Sequence, residues 1–232
     1  MSRASEKATD KAAENKADSD RRAEILRAAV EVFAAKGYHG CRIADVAKQA
    51  GVAYGLVYHY FQNKEELLES VFAESFGRWS KKAIEQIEGE GPVVVKLERI
   101  VRFAFESYRQ DPRTMQVLIF EIVRSPAFRQ ADKRAAIQQL LEATAKLISR
   151  SQKAGELRDD VHPFIAASML YGAMETTLTS FVLGSVITHK PDSIEMAVRH
   201  ILSVFLAGMS LQAKSFPVAL PAPTSQNGAK RG

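Results

Sequence analysis

The chain has 232 residues, which is enough for one large domain or two small ones. Hydrophobic residues make up 46% of it, and this share excludes disorder over most of the length. A single cysteine, Cys41, excludes an internal disulfide and a four-cysteine zinc site. The charged N-terminus lacks the apolar core of a secretory signal, so a cytoplasmic location is expected. Of the net charge of +5, residues 21–64 carry +4, with seven basic and three acidic side chains, which is typical of a domain that binds a polyanion.

The first elements follow from the spacing of apolar residues and from helix-ending glycines. Residues 1–20 mix charged and small side chains without an apolar stripe and are predicted to be a disordered arm. A helix is predicted over 21–36, where apolar residues recur at i, i+3, i+4, i+7 and i+8, and a glycine ends it. Two short helices, over 43–50 and 53–60, follow and are separated by a tight turn at Gly51.

Helical periodicity continues through the rest of the chain, and β-type alternation is not sustained anywhere. Asn63 is the predicted N-cap of the next helix, with Glu66 able to reach back to the cap. Glycine and proline then divide the chain into further helices, predicted at about 92–109, 111–124, 126–153, 163–184 and 191–211. The proline-rich residues 214–232 are predicted to be a disordered tail. The nine helices together predict an all-α fold.

The stretch 161–189 is the nearest approach to a membrane span. Glu175 and four neighbouring hydroxyl side chains interrupt it, and a central acid costs ~2.5–3.5 kcal/mol on insertion scales. The stretch is therefore predicted to be a helix that is buried on more than one side of a soluble protein, with no membrane partner.

The two short helices carry the functional prediction. Helices of about eight residues cannot bury a core alone, and packed against the helix over 21–36 they form a trihelical unit of the helix-turn-helix type. In such a unit the second short helix enters the DNA major groove, whose width of ~12 Å matches a helix. Its polar side chains and the lysine at the start of the next helix are all donors to phosphate oxygens: Tyr54, Tyr58, His59, Tyr60 and Lys64.

Four motifs follow one another at fixed spacings in residues 21–72: Gly37-Tyr38, VAKQAGV at 46–52, YGLVYHYF at 54–61 and KEEL at 64–67. With these motifs the segment resembles the DNA-binding domain of the TetR family of bacterial repressors. The resemblance implies a DNA-binding domain over 21–81, with its helix-turn-helix at about 44–63, and a helical ligand-binding and dimerisation domain over 82–213. It also implies a homodimer, paired through the last two helices, that binds a palindromic operator in double-stranded DNA.

The same resemblance implies roles for single residues. The positions that match phosphate contacts are Tyr58, His59 and Lys64. The positions that match base-edge contacts or the start of the first short helix are Ala53, Tyr54, Gly55, Arg42, Ile43 and Ala44. Tyr60 matches either a DNA contact or a packing residue beneath the recognition helix. Arg42 departs from the family's usual Thr or Ser and supplies a cation instead of an N-cap, and Ala53 departs from a common Ser and leaves only a methyl group.

An effector cavity is expected among the helices of the second domain. Its candidate lining residues, for each of which the pattern alone favours ordinary core packing, are Trp79, Phe103, Phe105, Met115, Phe120, Phe128, Met169, Tyr171, Met174 and Phe181. Residues 154–157 (AGEL) and 170–177 (LYGAMETT) are similar to the family's fatty-acid-degradation repressors, which respond to long-chain acyl-CoA. The similarity makes acyl-CoA the candidate effector. The candidate partners of its phosphates are Arg102, Arg109 and Arg113.

Nothing in the sequence points to an enzyme. The common nucleotide-binding, metalloprotease and nucleophile-elbow motifs are absent, and the five histidines are scattered without ligand spacing. No catalytic activity, cofactor or metal site is therefore expected. Two alternatives to a repressor that a ligand releases stay open: a TetR-like activator with a different effector, and a helical adaptor that uses the basic face for a protein or a membrane.

Overall fold

Helices form the regular structure throughout the residues that the computed structural model describes, which are 3–122, 131–184 and 192–212. Their bounds are α1 Arg3–Gly40, α2 Ile43–Ala50, α3 Tyr54–Tyr60, α4 Lys64–Glu88, α5 Val93–Gln110, α6 Pro112–Val117, α7 Ala131–Lys153, α8 Pro163–Val182 and α9 Ser193–Met209. A π-helical turn, Leu118–Ile122, continues α6. No strand occurs in these ranges, and the predicted all-α fold is confirmed. The predicted tail over 214–232 lies outside them.

The first helix begins much earlier than the apolar pattern predicts. Residues 3–20 are helical and continuous with the rest of α1, so the prediction of a disordered arm is wrong there. Eleven of these 18 residues are Ala, Glu, Lys or Arg, which are strong helix formers. The absence of an apolar stripe indicates that a segment does not pack against a core, but it says nothing about the segment's helix propensity. The prediction of disorder for residues 3–20 failed for this reason.

The first three helices, which we call the three-helix unit, share one hydrophobic core with the first half of α4. Ile25 and Phe33 of α1 are almost fully buried and pack in one cluster with Val46 of α2. The turn between the short helices is present as predicted, because α2 ends at Gly51, whose φ of 65° lies in the left-handed region that glycine adopts readily. Gly37 takes a φ of 69° and interrupts α1 at the predicted helix end.

Helix α4 joins the three-helix unit to the rest of the molecule. Asn63 caps it as predicted, since its Oδ1 accepts from the Glu66 N–H at 2.8 Å. The Glu66 carboxylate reaches back one residue further than predicted, to the N–H of Gln62 at 2.7 Å. The helix then runs without a break through the predicted domain boundary at residue 81. Phe76, near its middle, packs against both hydrophobic cores.

The second core lies among α4, α5, α7, α8 and α9. Helix α8 packs against α5, α6, α7 and α9, and residues such as Leu170 and Met174 are buried there. Its burial on more than one side agrees with the prediction, and its outer face is exposed, with Ile165 at 56% and Met169 at 63%. Within the described part of the chain, every helix is too short or too polar to cross a bilayer.

Candidate nucleic-acid interface and apolar cavity

The start of α2 places Arg42 on the surface. Its backbone N–H donates to the Asp45 carboxylate at 2.8 Å, and that carboxylate also pairs with the Lys36 ammonium at 2.7 Å. The hydrogen bond from Lys36, followed by that from the Arg42 N–H, lowers the pKa of Asp45. The Arg42 side chain is exposed and has no ion-pair partner among the described residues, so its guanidinium is available to a phosphate.

Helix α3 and its N-cap present most of the predicted DNA contacts at the surface. Ala53, Tyr54, Tyr58 and His59 are all exposed. The rings of Tyr54 and Tyr58 meet edge to face with centroids 5.1 Å apart, and the Tyr54 hydroxyl donates to the Tyr58 oxygen at 3.1 Å. This arrangement leaves the Tyr58 hydroxyl proton available to an acceptor outside the chain, such as a phosphate oxygen.

Gly55 lies in the first turn of α3 and is exposed. A Cβ placed on it would meet no other atom within 4 Å, and its backbone does not take a positive φ. The fold of the chain therefore does not require a glycine at this position. The predicted role beside a base edge would account for a glycine here, because a residue without a side chain lets another molecule approach the backbone closely.

Two further predicted contacts are engaged inside the three-helix unit. Ile43 is only 7% exposed and belongs to the core, so its side chain is not offered to DNA. Ala44, the next residue, is exposed. Tyr60 donates its hydroxyl proton to Asp18 Oδ1, at 2.6 Å, on the unpredicted helical extension of α1. Of the two roles left open for Tyr60, packing beside the recognition helix fits this contact better.

Lys64 differs most from the role that the resemblance implies. Its ammonium donates to the carbonyl oxygens of Tyr38, at 2.6 Å, and Cys41, at 3.0 Å, and lies 4.4 Å from the centroid of the Tyr38 ring. These carbonyls lie at and just beyond the C-terminal end of α1, where a cation is stabilising. The side chain thus ties the corner between α1 and α2 to the start of α4, with two of its three ammonium protons already bound.

An apolar cavity of about 320 Å³ lies between α4 and the helices of the second core. Its lining residues are Phe72, Phe76, Trp79, Ala104, Met115, Leu118, Ile119, Ile137, Leu140, Leu141, Ser168, Tyr171, Gly172, Met174, Glu175 and Leu178. Gly172 and Glu175, both on α8, are the exposed members of this set. The cavity therefore meets solvent on the α8 side.

The structure brings together only some of the predicted lining residues. Those on the cavity wall are Trp79, Met115, Tyr171 and Met174. Phe103 stacks on Trp79, with ring centroids 5.8 Å apart, but does not line the cavity. Met169 lies on the outer face of α8 instead, because the helix turns its side chain away from the core and leaves it 63% exposed.

The other predicted aromatic residues lie elsewhere. Phe105 and Phe181 form an edge-to-face pair in the second core, with centroids 5.6 Å apart. Phe120 lies in the π-helical turn but is not on the wall. Phe128 lies outside the described residues.

Polar groups on the cavity wall are few. The Tyr171 hydroxyl is hydrogen-bonded to Thr144 Oγ1 at 3.0 Å, and Thr144 Oγ1 also lies 3.1 Å from the Leu140 carbonyl oxygen. Burial raises the pKa of Tyr171 to about 12, which keeps the phenol neutral at physiological pH. The Trp79 indole N–H is buried without a hydrogen-bond partner, alone among side-chain polar atoms of the described residues. Glu175 is the one charged side chain on the wall.

The arginines predicted to meet the phosphates of a CoA group are all engaged in ion pairs with carboxylates. The pairs are Arg102 with Glu98 and Glu195, Arg109 with Glu106, and Arg113 with Glu31. None of the three lines the cavity. Within the described ranges there is also no group of three or more His, Cys, Asp or Glu side chains that could hold a metal ion.

The cavity wall is also in contact with the three-helix unit. Phe72 lines the cavity, is 5% exposed and belongs to the core of that unit. Its ring stacks on Phe76 with centroids 5.0 Å apart. On α6, next to the wall residue Met115, Gln116 donates its side-chain N–H to the Ala34 carbonyl of α1 at 3.0 Å. A molecule in the cavity would therefore touch elements that hold α1 and the start of α4 in place.

Comparison with known proteins identifies the family. A family profile described as bacterial regulatory proteins of the tetR family matches residues 25–71, which contain α2 and α3. A second profile, described as the C-terminal region of YsiA-like proteins, matches residues 72–202, more than half of the chain. The chain belongs to the TetR family. TetR-family proteins are ligand-responsive transcriptional regulators that bind DNA through the helix-turn-helix, so the functional class predicted from the motifs is confirmed.

Relatives within the TetR family confirm the similarity to fatty-acid regulators. The fatty acid metabolism regulator protein of Bacillus subtilis is 27% identical over 186 residues, which cover 80% of this chain and 94% of the relative. The structure of the fatty acid degradation regulator FadR from Bacillus halodurans has a TM-score of 0.73 at 27% identity, covering 84% of this chain and 97% of that one. FadR from Bacillus subtilis in complex with stearoyl-CoA has a TM-score of 0.67 at 28% identity, covering 80% and 98%.

Sequence reasoning missed most of the aliphatic wall of this TetR-family cavity. Residues such as Leu118, Leu140 and Leu178 have the same helical spacing as ordinary core residues, so no signal in the sequence marks them. Phe72 was even harder to recognise as a cavity residue from the sequence, because it is also part of the core of the three-helix unit.

Proposed function

We propose that the protein is a homodimeric repressor that binds a palindromic operator and leaves it when an acyl-CoA fills the apolar cavity. The observation that carries the proposal is the double role of the cavity wall. Phe72 and Phe76 line the cavity and also pack against the core of the three-helix unit. An acyl chain in the cavity thus acts directly on α4, the helix that begins at this unit. The FadR relative in complex with stearoyl-CoA supports acyl-CoA as the effector.

The proposed DNA contacts rest on the exposed surface of α2 and α3. In the proposal α3 enters the major groove, with Ala53, Tyr54 and the backbone of Gly55 beside base edges. Tyr58 and Arg42 contact the phosphates, because both present donors without a partner in the described chain. His59, also exposed, completes the phosphate-facing set.

The outer faces of α8 and α9 are the proposed dimer interface. Six of the ten large apolar side chains that are exposed in the described residues lie on these helices or directly after them: Phe164, Ile165, Met169, Leu183, Val204 and Leu211. Exposed apolar side chains concentrated on two helices in this way favour an interaction site. A second copy of the chain covers it with twofold symmetry and sets two recognition helices about 34 Å apart, one turn of DNA.

Release by the effector requires two arrangements of the dimer with different affinities for it. In the proposal the DNA-bound arrangement holds both α3 helices at operator spacing. A filled cavity favours a second arrangement, in which α4 is displaced and the spacing is wrong. The acyl-CoA must bind the second arrangement more tightly, by about 10⁴-fold if it is to reverse a 1:99 population.

Selection of genomic fragments by the full-length protein, with and without a panel of acyl-CoAs, tests the proposal. We expect an enriched palindrome that is lost when an acyl-CoA is added. A palindrome that no acyl-CoA releases contradicts the effector and leaves the regulator standing. No enriched fragment at low salt favours a helical adaptor, since phosphate contacts weaken with log salt at a slope of ~−0.9 per phosphate. Transcription of the adjacent genes, measured without the protein, is expected to rise for a repressor and to fall for an activator.

The proposal assigns no catalytic step to the protein. Its relatives are regulators and not enzymes by name, which supports this assignment. Because the proposed partner is chromosomal DNA, the proposed place of action is the cytoplasm.

A further inference from the structure

The volume of the cavity limits the length of acyl chain that it holds. We propose that the protein binds a chain close to dodecanoyl in length better than the stearoyl chain of the FadR complex. This inference rests on acyl-CoA as the proposed effector. An apolar cavity of ~150 Å³ takes one benzene, with about six carbon atoms, so a cavity of about 320 Å³ takes roughly 13 carbon atoms. A stearoyl chain is longer than this and does not fit whole.

The wall resists lengthening toward the three-helix unit. Phe72 and Phe76 stack on each other at that side, and Phe72 is part of the core of the unit. A chain that extends further must displace this stack and disturb close-packed side chains behind it. Elsewhere on the wall Ala104, Leu140 and Met174 are almost fully buried in the second core. On these sides of the cavity, extra chain length is therefore accommodated only at the expense of core packing.

Most polar groups on the wall are engaged within the chain. The Tyr171 hydroxyl pairs with Thr144 Oγ1 and the Ser168 hydroxyl donates to the Phe164 carbonyl, so the buried Trp79 indole N–H is the one side-chain donor of the described wall without a partner. Since the exposed wall residues are on α8, the chain enters there and the CoA group stays outside. The protein then selects between acyl chains of different length mainly through apolar contact with the cavity wall, and this contact stops growing once the chain fills the cavity.

Calorimetric titration of the full-length, DNA-free protein tests the length limit. The probes are octanoyl-, decanoyl-, dodecanoyl-, tetradecanoyl-, hexadecanoyl- and stearoyl-CoA. We expect each pair of added methylenes to lower Kd roughly tenfold until the cavity is full, near dodecanoyl, and further methylenes to leave Kd unchanged or raise it. Affinity that keeps rising by the same step up to stearoyl-CoA overturns the length limit. Absence of binding to every acyl-CoA instead contradicts the proposed effector, so the two failures are distinguishable.

Two wall variants are expected to move the limit in opposite directions. Met174→Ala enlarges the cavity and should shift the tightest binding to longer chains, whereas Ala104→Leu fills part of it and should shift the tightest binding to shorter ones. Leu97→Ala is the matched control, because Leu97 is fully buried in the same core but does not line the cavity. An optimum that does not move in Met174→Ala, or that moves equally in Leu97→Ala, overturns the proposal. Circular dichroism and operator binding establish that each variant is folded.

Discussion

At the scale of single residues, alanine substitutions at two glycines can distinguish a requirement of the fold from a requirement of DNA binding. A Cβ placed on Gly55 of α3 or on Gly77 of α4 would meet no other atom within 4 Å, so alanine fits both positions. We expect Gly55→Ala and Gly77→Ala to leave the free energy of unfolding unchanged or to raise it by ~0.5–1 kcal/mol. Only Gly55→Ala is expected to weaken operator binding, by about tenfold or more, which is the size of one lost groove contact.

Thermal unfolding and fluorescence anisotropy with the selected operator measure these two effects. If Gly55→Ala and Gly77→Ala bind the operator equally well, the backbone of α3 does not approach DNA at Gly55. If Gly55→Ala is destabilised, the glycine serves the fold after all. The control is close because each glycine lies within a helix and has open space where its side chain would be.

At the scale of elements, two cations at helix starts have different expected roles. Lys64 at the start of α4 is expected to stabilise the fold, and Arg42 at the start of α2 is expected to bind DNA. The Lys64 ammonium binds the Tyr38 and Cys41 carbonyls, which lie at and just beyond the end of α1, whereas the exposed Arg42 guanidinium has no ion-pair partner in the described chain. We therefore expect Lys64→Met to lower the free energy of unfolding by ~1.5–3 kcal/mol, the range for hydrogen bonds to a charged group. Arg42→Gln should leave stability unchanged.

The salt dependence of operator binding distinguishes the two roles. A cation that neutralises one phosphate contributes ~0.9 to the slope of log K against log salt. Arg42→Gln is expected to reduce the slope by about that amount, and Lys64→Met to leave it unchanged while the affinity falls through misplacement of α2 and α3. If Lys64→Met also reduces the slope of log K against log salt, Lys64 contacts a phosphate, as the family resemblance implies.

At the scale of the whole molecule, the order of helices was predictable because its signals are local. Gly51 ends α2 and Asn63 caps α4 through atoms within a few residues. Contacts between distant residues carry no such signal. Lys64 meets Tyr38 across 26 positions of sequence, and the cavity wall combines leucines from separate helices that resemble any other core leucine. The helical start of α1 was missed for a different reason, since propensity alone favours it.

The proposed dimer can be tested with two exposed valines on different faces. Val204 on α9 is 74% exposed and lies on the proposed interface, whereas Val94 on α5 is 46% exposed and lies outside it. Val204→Glu buries a charge in the interface and is expected to give a monomer by sedimentation at micromolar concentration, with unchanged helix content. Its operator affinity should fall by about 10²–10⁴-fold, because the second half-site is no longer bound intramolecularly.

Val94→Glu should remain a dimer and bind the operator as the wild type does. Both variants add one negative charge at a partly exposed valine, so general electrostatic repulsion from DNA affects them alike and only the position of the charge differs. A dimeric Val204→Glu, or a monomeric Val94→Glu, would place the interface elsewhere than on α8 and α9. A monomeric Val204→Glu that keeps full operator affinity would instead show that one recognition helix suffices, which removes the need for a palindrome.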